Sequence, residues 1–193
     1  DWGKLSSEVT GEANAVLNLF RLEATRATAV MARVLGRTET AEFYEQEGKG
    51  VQAALEDLLW DKEEGRFRPS LGANTPAVHA NVLALRFGVG DPQQLLAYLE
   101  PLLRGNLQHG IDKGQGSGFV ELYFMIYLRP ALAENGRHDL AETLIEEHYG
   151  FLKSLGYPTL NECFSRAHRK MGSCCHSWSG AGSVYFARYL MGF

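Results

Sequence analysis

The sequence lacks any long uninterrupted apolar segment. No run approaches the roughly 20 consecutive apolar residues that an α-helix needs to cross a bilayer, although hydrophobic residues make up 45% of the chain. The first residues, Asp1 to Lys4, also lack the basic segment followed by an apolar segment that defines a signal peptide. We therefore expect no membrane partner, while a leader removed upstream of the chain stays an alternative.

Cysteine is scarce, with only three residues, at positions 163, 174 and 175. An odd number of cysteines, two of them adjacent, is a poor basis for a disulfide framework. This favours a reducing compartment, and we expect the cytoplasm. Because Cys174, Cys175 and His176 are contiguous, they cannot easily surround one tetrahedral zinc ion. The sequence therefore predicts no metal site, and we expect no cofactor.

A strong excess of charge of one sign is also missing. The formal net charge is -4 over 193 residues, which gives no electrostatic reason to expect nucleic acid as a partner. Alternation of apolar and polar residues, which is typical of strands, does not extend beyond a few positions. The composition is that of an ordinary globular protein, and the class we expect is all-α.

Apolar residues recur at helical spacing over most of the chain. The caps that we predict are Thr38 and Asp91 at helix starts, and Gly36 and Gly136 just after helix ends. Pro76 is expected in the first turn of the third helix. The predicted helices run from 9 to 35, 38 to 60, 76 to 88, 92 to 105, 119 to 135, 138 to 152, and about 179 to 191.

Short and long connections alternate along this series, so the helices pair as antiparallel hairpins. The long connections are 61–74, 105–118 and 156–178, the first of them a loop or a short strand hairpin. In such an array we expect the long loops to lie at one end, which is the natural place for a site. An odd number of helices suggests that a partner hairpin precedes the chain.

The last long loop contains the side chains that a sugar site needs. Glu162 lies in a nearly uncharged turn after Gly156, and His176 and Trp178 precede the final apolar helix. A carboxylate can move a proton, an imidazole can hold a hydroxyl group, and an indole can stack on the face of a sugar. We expect these three side chains to share one site.

Several short segments in a fixed order resemble a known family. The ordered set resembles the C-terminal half of the catalytic domain of bacterial-type α-L-rhamnosidases, glycoside hydrolase family 78, over essentially the whole chain. These segments are Asp1-Trp2, Leu58-Leu59-Trp60-Asp61, the run from Val78 to Leu85 leading to Phe87-Gly88, the turn from Glu134 to Ala141, Thr159-Leu160-Asn161-Glu162, and Cys175-His176-Ser177-Trp178-Ser179.

The resemblance implies a six-hairpin (α/α)6 barrel that hydrolyses terminal α-L-rhamnosyl bonds with inversion. Residues 1–193 would then form a single helical domain, the C-terminal portion of a larger catalytic domain whose N-terminal part is missing here. The resemblance places the general-base role on Glu162 and a sugar contact on His176, and it puts the general acid upstream of this chain. The family usually has Trp immediately before this Glu, where the present sequence has Asn161.

Each candidate also has an ordinary structural interpretation. Glu162 could be a solvated or capping carboxylate, His176 a buried histidine, and Trp178 part of the core. Trp2 would meet the site if its loop reaches it, and we include it among the substrate-binding residues. Glu121 could face the site, but a partly buried ion pair with Arg129 is the plainer expectation. For His79 and Asn81, a structural hydrogen bond between helices is expected before ligand contact.

Two further functions stay open at the level of sequence. The chain could be a helical-hairpin scaffold without chemistry, which binds a partner through an apolar edge. It could also belong to a related (α/α)6 glycosidase that acts on another sugar. The absence of a general acid favours the scaffold for the isolated chain, whereas Glu162, His176 and Trp178 together favour the hydrolase.

Overall fold

A computed structural model describes residues 12–109, 120–162 and 173–193. In these ranges the chain forms seven α-helices and one two-stranded sheet. The all-α class expected from the sequence is confirmed. The residues group into two compact units, 12–95 and 96–193.

The first unit begins with a helical hairpin. Helix α1 covers Ala15–Val34 and α2 covers Thr38–Leu58, and Gly36 makes the turn with a positive φ of 71°. Asn14 caps α1, because its side chain accepts a hydrogen bond from the backbone N–H of Leu17 at 3.0 Å. The predicted start at residue 9 is therefore too early, and Thr38 lies inside α2 rather than at its cap.

A short β-hairpin follows α2. Strands β1, Trp60–Asp61, and β2, Arg66–Phe67, pair antiparallel with Trp60 opposite Phe67. The next helix, α3, covers Val78–Phe87 and begins two residues later than Pro76. The guanidinium of Arg66 binds the main-chain carbonyl of Thr75 at 3.1 Å, so this part of the loop is held by the hairpin and not by the helix.

Helix α4 covers Pro92–His109 and has the predicted cap. Asp91 accepts hydrogen bonds from the backbone N–H groups of Gln93 and Gln94, at 2.8 and 2.9 Å. The predicted end at Gly105 is wrong, since the helix continues to His109. A glycine inside a helix costs only about 1 kcal/mol relative to alanine, and this does not stop a helix that packs well.

The second unit contains another helical hairpin. After a 3₁₀ turn, Leu122–Phe124, helix α5 covers Met125–Glu134 and α6 covers His138–Ser154. The predicted fifth helix begins too early, because Glu121 is extended, with ψ of 164°.

The chain ends in three helical segments of different winding. They are a 3₁₀ turn at Ser177–Gly180, helix α7 at Ala181–Tyr185, and a π-helical turn at Phe186–Leu190. The single helix predicted from about 179 to 191 thus has the right position but not uniform geometry. Whether the three long loops lie at one end stays a prediction, since residues 110–119 and 163–172 lie outside the described residues.

Candidate active site

Two short segments of the second unit lie side by side and define the site. The backbone N–H of Glu162 donates to the carbonyl of Ser173 at 2.9 Å, and the N–H of His176 donates to the carbonyl of Leu160 at 3.0 Å. These two main-chain hydrogen bonds hold residues 160–162 against residues 173–176. Glu162 and His176, which are far apart along the chain, are therefore neighbours in space.

Glu162 is half-buried and is held at two points. Its carboxylate oxygen Oε2 accepts the backbone N–H of Ser173 at 3.2 Å, and its main-chain carbonyl accepts the indole Nε1–H of Trp178 at 2.9 Å. The Ser173 amide is the one hydrogen-bond donor to the carboxylate in the described part of the chain. The carboxylate is oriented, yet it keeps acceptor capacity for water or a hydroxyl group.

His176 and Trp178 form a stacked pair that is bonded to the main chain of Glu162 through the indole. Their ring centroids are 4.0 Å apart with an interplanar angle of 28°, and both residues are half-buried. The Nδ1 atom of His176 is buried, and no described residue is its hydrogen-bond partner. One face of Trp178 is thus already covered by the imidazole, so a sugar that stacks on this indole needs its other face.

Tyr123 joins the aromatic pair and was missed by sequence reasoning. Its ring centroid lies 5.0 Å from that of Trp178, and it is 39% exposed. The prediction of a continuous apolar helix from 119 concealed this residue, because it placed Tyr123 within a buried helix. The sequence around Leu122 carries no clear signal for the 3₁₀ turn that exposes Tyr123.

Asn161, which stands where the resembling family usually has Trp, is almost completely buried. It is 1% exposed, and neither its Oδ1 nor its Nδ2 has a hydrogen-bond partner among the described residues. Its main-chain carbonyl, by contrast, accepts the hydroxyl of Ser179 at 2.5 Å. The backbone at this position is fixed, while the side-chain amide is left unsatisfied.

The expected ion pair between Glu121 and Arg129 is wrong, because the Arg129 guanidinium does not bind a carboxylate of any described residue. Both side chains are buried, at 1% and 0% exposure, but the guanidinium contacts Tyr149 instead of a carboxylate. Its Nη1 donates to the Tyr149 hydroxyl at 3.3 Å, and its Cζ lies 5.0 Å from the centre of that ring.

Asn81 makes structural hydrogen bonds, as expected. Its partner is the main chain of Phe67 in strand β2, however, and not the neighbouring helix that the sequence analysis predicted.

The other predicted site residue, Trp2, lies outside the described residues, as does Cys163. Cys174 and Cys175 are exposed free thiols. Among the described residues, no group of three or more His, Cys, Asp or Glu side chains could hold a metal ion. No helix within the described ranges is long and apolar enough to cross a membrane.

The first unit contains a groove of about 270 Å³ between α1 and α2. Its lining is mainly apolar, with the Arg21–Glu47 ion pair at 3.0 Å. None of the candidate site residues lines it. We regard the groove as a packing surface, since the Glu47 carboxylate in its lining is paired with Arg21 and no aromatic residue lines it.

The family comparison covers nearly the whole chain. The model of the bacterial α-L-rhamnosidase six-hairpin glycosidase domain matches residues 1–190. No curated protein matches the sequence.

Two solved structures have the same fold over most of the chain. A GH78 family rhamnosidase of Bacillus sp. GL1 is 21% identical with a TM-score of 0.71, and 90% of this chain covers 19% of that protein. A rhamnosidase from Klebsiella oxytoca with rhamnose bound is also 21% identical, with a TM-score of 0.72, and 93% of this chain covers 34% of it. The chain thus spans about a fifth and a third of the two proteins.

Proposed function

The chain belongs to the family of bacterial α-L-rhamnosidase six-hairpin glycosidase domains, and from this premise we propose that it takes part in the inverting hydrolysis of terminal α-L-rhamnosyl residues. The observation that supports this best is the oriented carboxylate of the half-buried Glu162, a residue whose main chain is bonded to Trp178, the stacking partner of His176. The substrate would be a rhamnose-containing glycoside or oligosaccharide.

In this proposal Glu162 is the general base. An inverting glycosidase needs a carboxylate that removes a proton from water as the water attacks the anomeric carbon. The Ser173 amide fixes Oε2 of Glu162, and the remaining acceptor positions can bind that water. The main-chain bond from Trp178 keeps the carboxylate at a set position relative to the aromatic pair.

His176 and Trp178 are the proposed sugar-binding residues in the described part of the site. The imidazole would donate to or accept from a sugar hydroxyl, and the part of the indole that the His176 and Tyr123 rings leave exposed would contact the apolar face of the sugar. Their mutual stacking at 4.0 Å fixes the imidazole plane, which favours binding of one hydroxyl geometry over others. Trp2 stays a proposed substrate contact on the strength of the resemblance.

The second carboxyl group is proposed to come from an N-terminal part of the barrel. An inverting pair lies roughly 6.5–9.5 Å apart, on opposite sides of the bond. Large apolar side chains on α1 remain exposed, among them Val30 at 64% and Val34 at 82%, and burying them against another hairpin would be favourable. The chain would thus supply the general-base half of a site that is completed upstream.

The test compares residues 1–193 with a longer protein that also contains the upstream part, using an aryl α-L-rhamnoside. We expect hydrolysis by the longer protein and none by 1–193 above a Glu162→Gln control. In the longer protein, Glu162→Gln should lower kcat by about 10²–10⁴-fold, with little change in sugar binding, since a proton acceptor matters mainly in the transition state.

Glu146→Gln is the matched control, because this carboxylate is exposed on α6, and it should keep wild-type activity. NMR should show a first-formed sugar with inverted anomeric configuration. Retained configuration, or unchanged kcat in Glu162→Gln, would rule out the general-base assignment. Absence of any glycosidase activity in the longer protein would favour the scaffold instead.

A further inference from the structure

The hydroxyl group of Tyr149 on α6 is the centre of a hydrogen-bond network behind the candidate base. It donates to the main-chain carbonyl of Ser179 at 2.6 Å. It accepts the backbone N–H of Gly182 at 2.9 Å and Nη1–H of Arg129 at 3.3 Å. One donor and two acceptor positions are what a phenol offers, so this hydroxyl group is fully used.

The network continues from Ser179 to the segment that contains Glu162. The Ser179 side chain, which is 0% exposed, donates to the carbonyl of Asn161 at 2.5 Å. The neighbouring carbonyl, that of Glu162, accepts the indole of Trp178 at 2.9 Å. Two successive carbonyls at the base are thus held by two successive side chains of the Ser177–Gly180 turn.

Gly182 allows Tyr149 to approach this turn closely. A Cβ atom at position 182 would lie 2.5 Å from Cε2 and 2.8 Å from the hydroxyl oxygen of Tyr149. Any larger residue would therefore displace the ring or the turn. The position of the turn relative to α6 depends on both the tyrosine hydroxyl and the absent side chain.

We propose that Tyr149 is a positioning residue for Glu162. It fixes the Ser177–Gly180 turn, and the turn fixes the main chain at Asn161 and Glu162. The inference rests on the proposed function only for the chemical purpose of Glu162, because the positioning itself can be measured without activity.

The test uses the indole N–H of Trp178 in ¹⁵N-labelled protein. Because this group donates to the Glu162 carbonyl, its chemical shift and hydrogen exchange report on the bond between turn and base. Tyr149→Phe removes only the hydroxyl group, and we expect exchange of the Trp178 indole to become about tenfold faster. The Trp60 indole belongs to the first unit and should keep its exchange rate.

Tyr189→Phe is the matched control, since it also removes only a phenol hydroxyl group, in this case one that donates to Glu134 at 2.5 Å on an exposed surface. It should leave both indoles unchanged. Two further variants keep the proposal falsifiable if Tyr149→Phe also alters Trp60. Ser179→Ala breaks the last link to Asn161, and Gly182→Ala displaces Tyr149 without removing a polar group.

Both additional variants should accelerate exchange at Trp178 and not at Trp60. Alanine is a better helix former than glycine. Faster exchange of the Trp178 indole in Gly182→Ala therefore cannot come from a lower local helix propensity. An unchanged Trp178 indole in folded Tyr149→Phe, or in both other variants, overturns the proposal. In an active longer protein, Tyr149→Phe should lower kcat with KM within about twofold. If Trp178 responds while Glu162→Gln stays active, the positioning stands and the general-base role fails.

Discussion

The two units treat their buried asparagines in opposite ways. Asn81, 0% exposed, accepts the N–H of Phe67 at 2.7 Å and donates to the carbonyls of Phe67 and Ala77 at 3.0 and 2.7 Å. Asn161, 1% exposed, has no partner for its side-chain Oδ1 or Nδ2 in the part of the chain that the structure describes. The first amide joins strand β2 to helix α3, whereas the second makes no bond of this kind.

The buried arginines differ in the same way. Arg66, 2% exposed, binds Glu64, the carbonyl of Thr75 and the side chain of Asn74, the last at 2.6 Å. Within the described ranges, Arg129 has one long hydrogen bond, to Tyr149, and its Nε and Nη2 have no partner. An unsatisfied buried polar group costs about 1–3 kcal/mol. The unsatisfied side chains of Arg129 and Asn161 therefore lower the stability of the second unit near the candidate site. Such conflicts are expected where function, and not stability, selects the residue.

The largest effect should come from breaking the satisfied asparagine. Asn81→Ala removes three hydrogen bonds and leaves main-chain groups of Phe67 without partners, so we expect a loss of about 4 kcal/mol in the free energy of unfolding. Urea denaturation measures this loss. Asn18→Ala is the control, because its Nδ2 makes only one local bond, to the Asn14 carbonyl at 2.9 Å, and it should change stability by less than about 1 kcal/mol. An equal effect in both variants would contradict the structural role of Asn81.

Most of the fold could be predicted from the sequence because it depends on local signals. The hairpin turns at Gly36 and Gly136 and the cap at Asp91 are where apolar periodicity and capping chemistry placed them. The predicted starts of helices were wrong where contacts with other parts of the chain determine the start. Arg66 binds the carbonyl of Thr75, so α3 begins later in the sequence than predicted. The extended backbone at Glu121 likewise places the start of α5 later than predicted.

The candidate site was less accessible to sequence reasoning. Glu162, His176 and Trp178 could be named from residue type and resemblance, but their contact depends on pairing between residues 160–162 and 173–176. Neither the bond from the Trp178 indole to the Glu162 carbonyl nor the unsatisfied amide of Asn161 has a signal in the sequence. Both arise from tertiary packing.

His148, next to Tyr149 on α6, makes the second unit sensitive to pH. It is 4% exposed, and burial first, with the charge of Arg129 second, lowers its pKa to about 3. Below the unfolded pKa of about 6.5, only the unfolded state binds the proton, so this stability is present above pH 6.5 and is lost as the pH falls toward 3. Between pH 6.5 and 4 the loss should be about 3 kcal/mol.

The measurement is urea unfolding across this pH range, as the difference between wild type and His148→Leu. The difference is needed because burial also lowers the pKa of His79, to about 4, which adds a slope of the same sign. Leu144→Ala, one turn earlier on α6 and 1% exposed, should lower stability equally at every pH. A profile in His148→Leu as steep as that of wild type would refute the assignment.

Replacing the two buried arginines, Arg66 and Arg129, by methionine should change the free energy of unfolding in opposite directions. Arg129→Met removes two unsatisfied buried donors and a charge whose pKa burial lowers, so we expect a gain of about 1–2 kcal/mol at pH 7. Arg66→Met leaves Asn74 and Thr75 without their donor and should lose about 2–3 kcal/mol. Urea denaturation of both variants decides the matter, and a loss in Arg129→Met would mean that its guanidinium is better satisfied than its contacts indicate.

The smallest change in stability should come from Asn161→Leu, and this variant separates the side chain from the backbone at the site. Replacing an unsatisfied amide by an apolar group of similar size removes a desolvation cost and no bond, so stability should change by no more than about 1 kcal/mol. Exchange at the Trp178 indole should also stay unchanged, because the Asn161 carbonyl keeps its bond to Ser179. If the amide instead serves the sugar, KM for an aryl rhamnoside should rise several-fold in an active longer protein. A loss of stability as large as that in Asn81→Ala would show that the Asn161 amide is hydrogen-bonded like that of Asn81, and would contradict the difference between the two units.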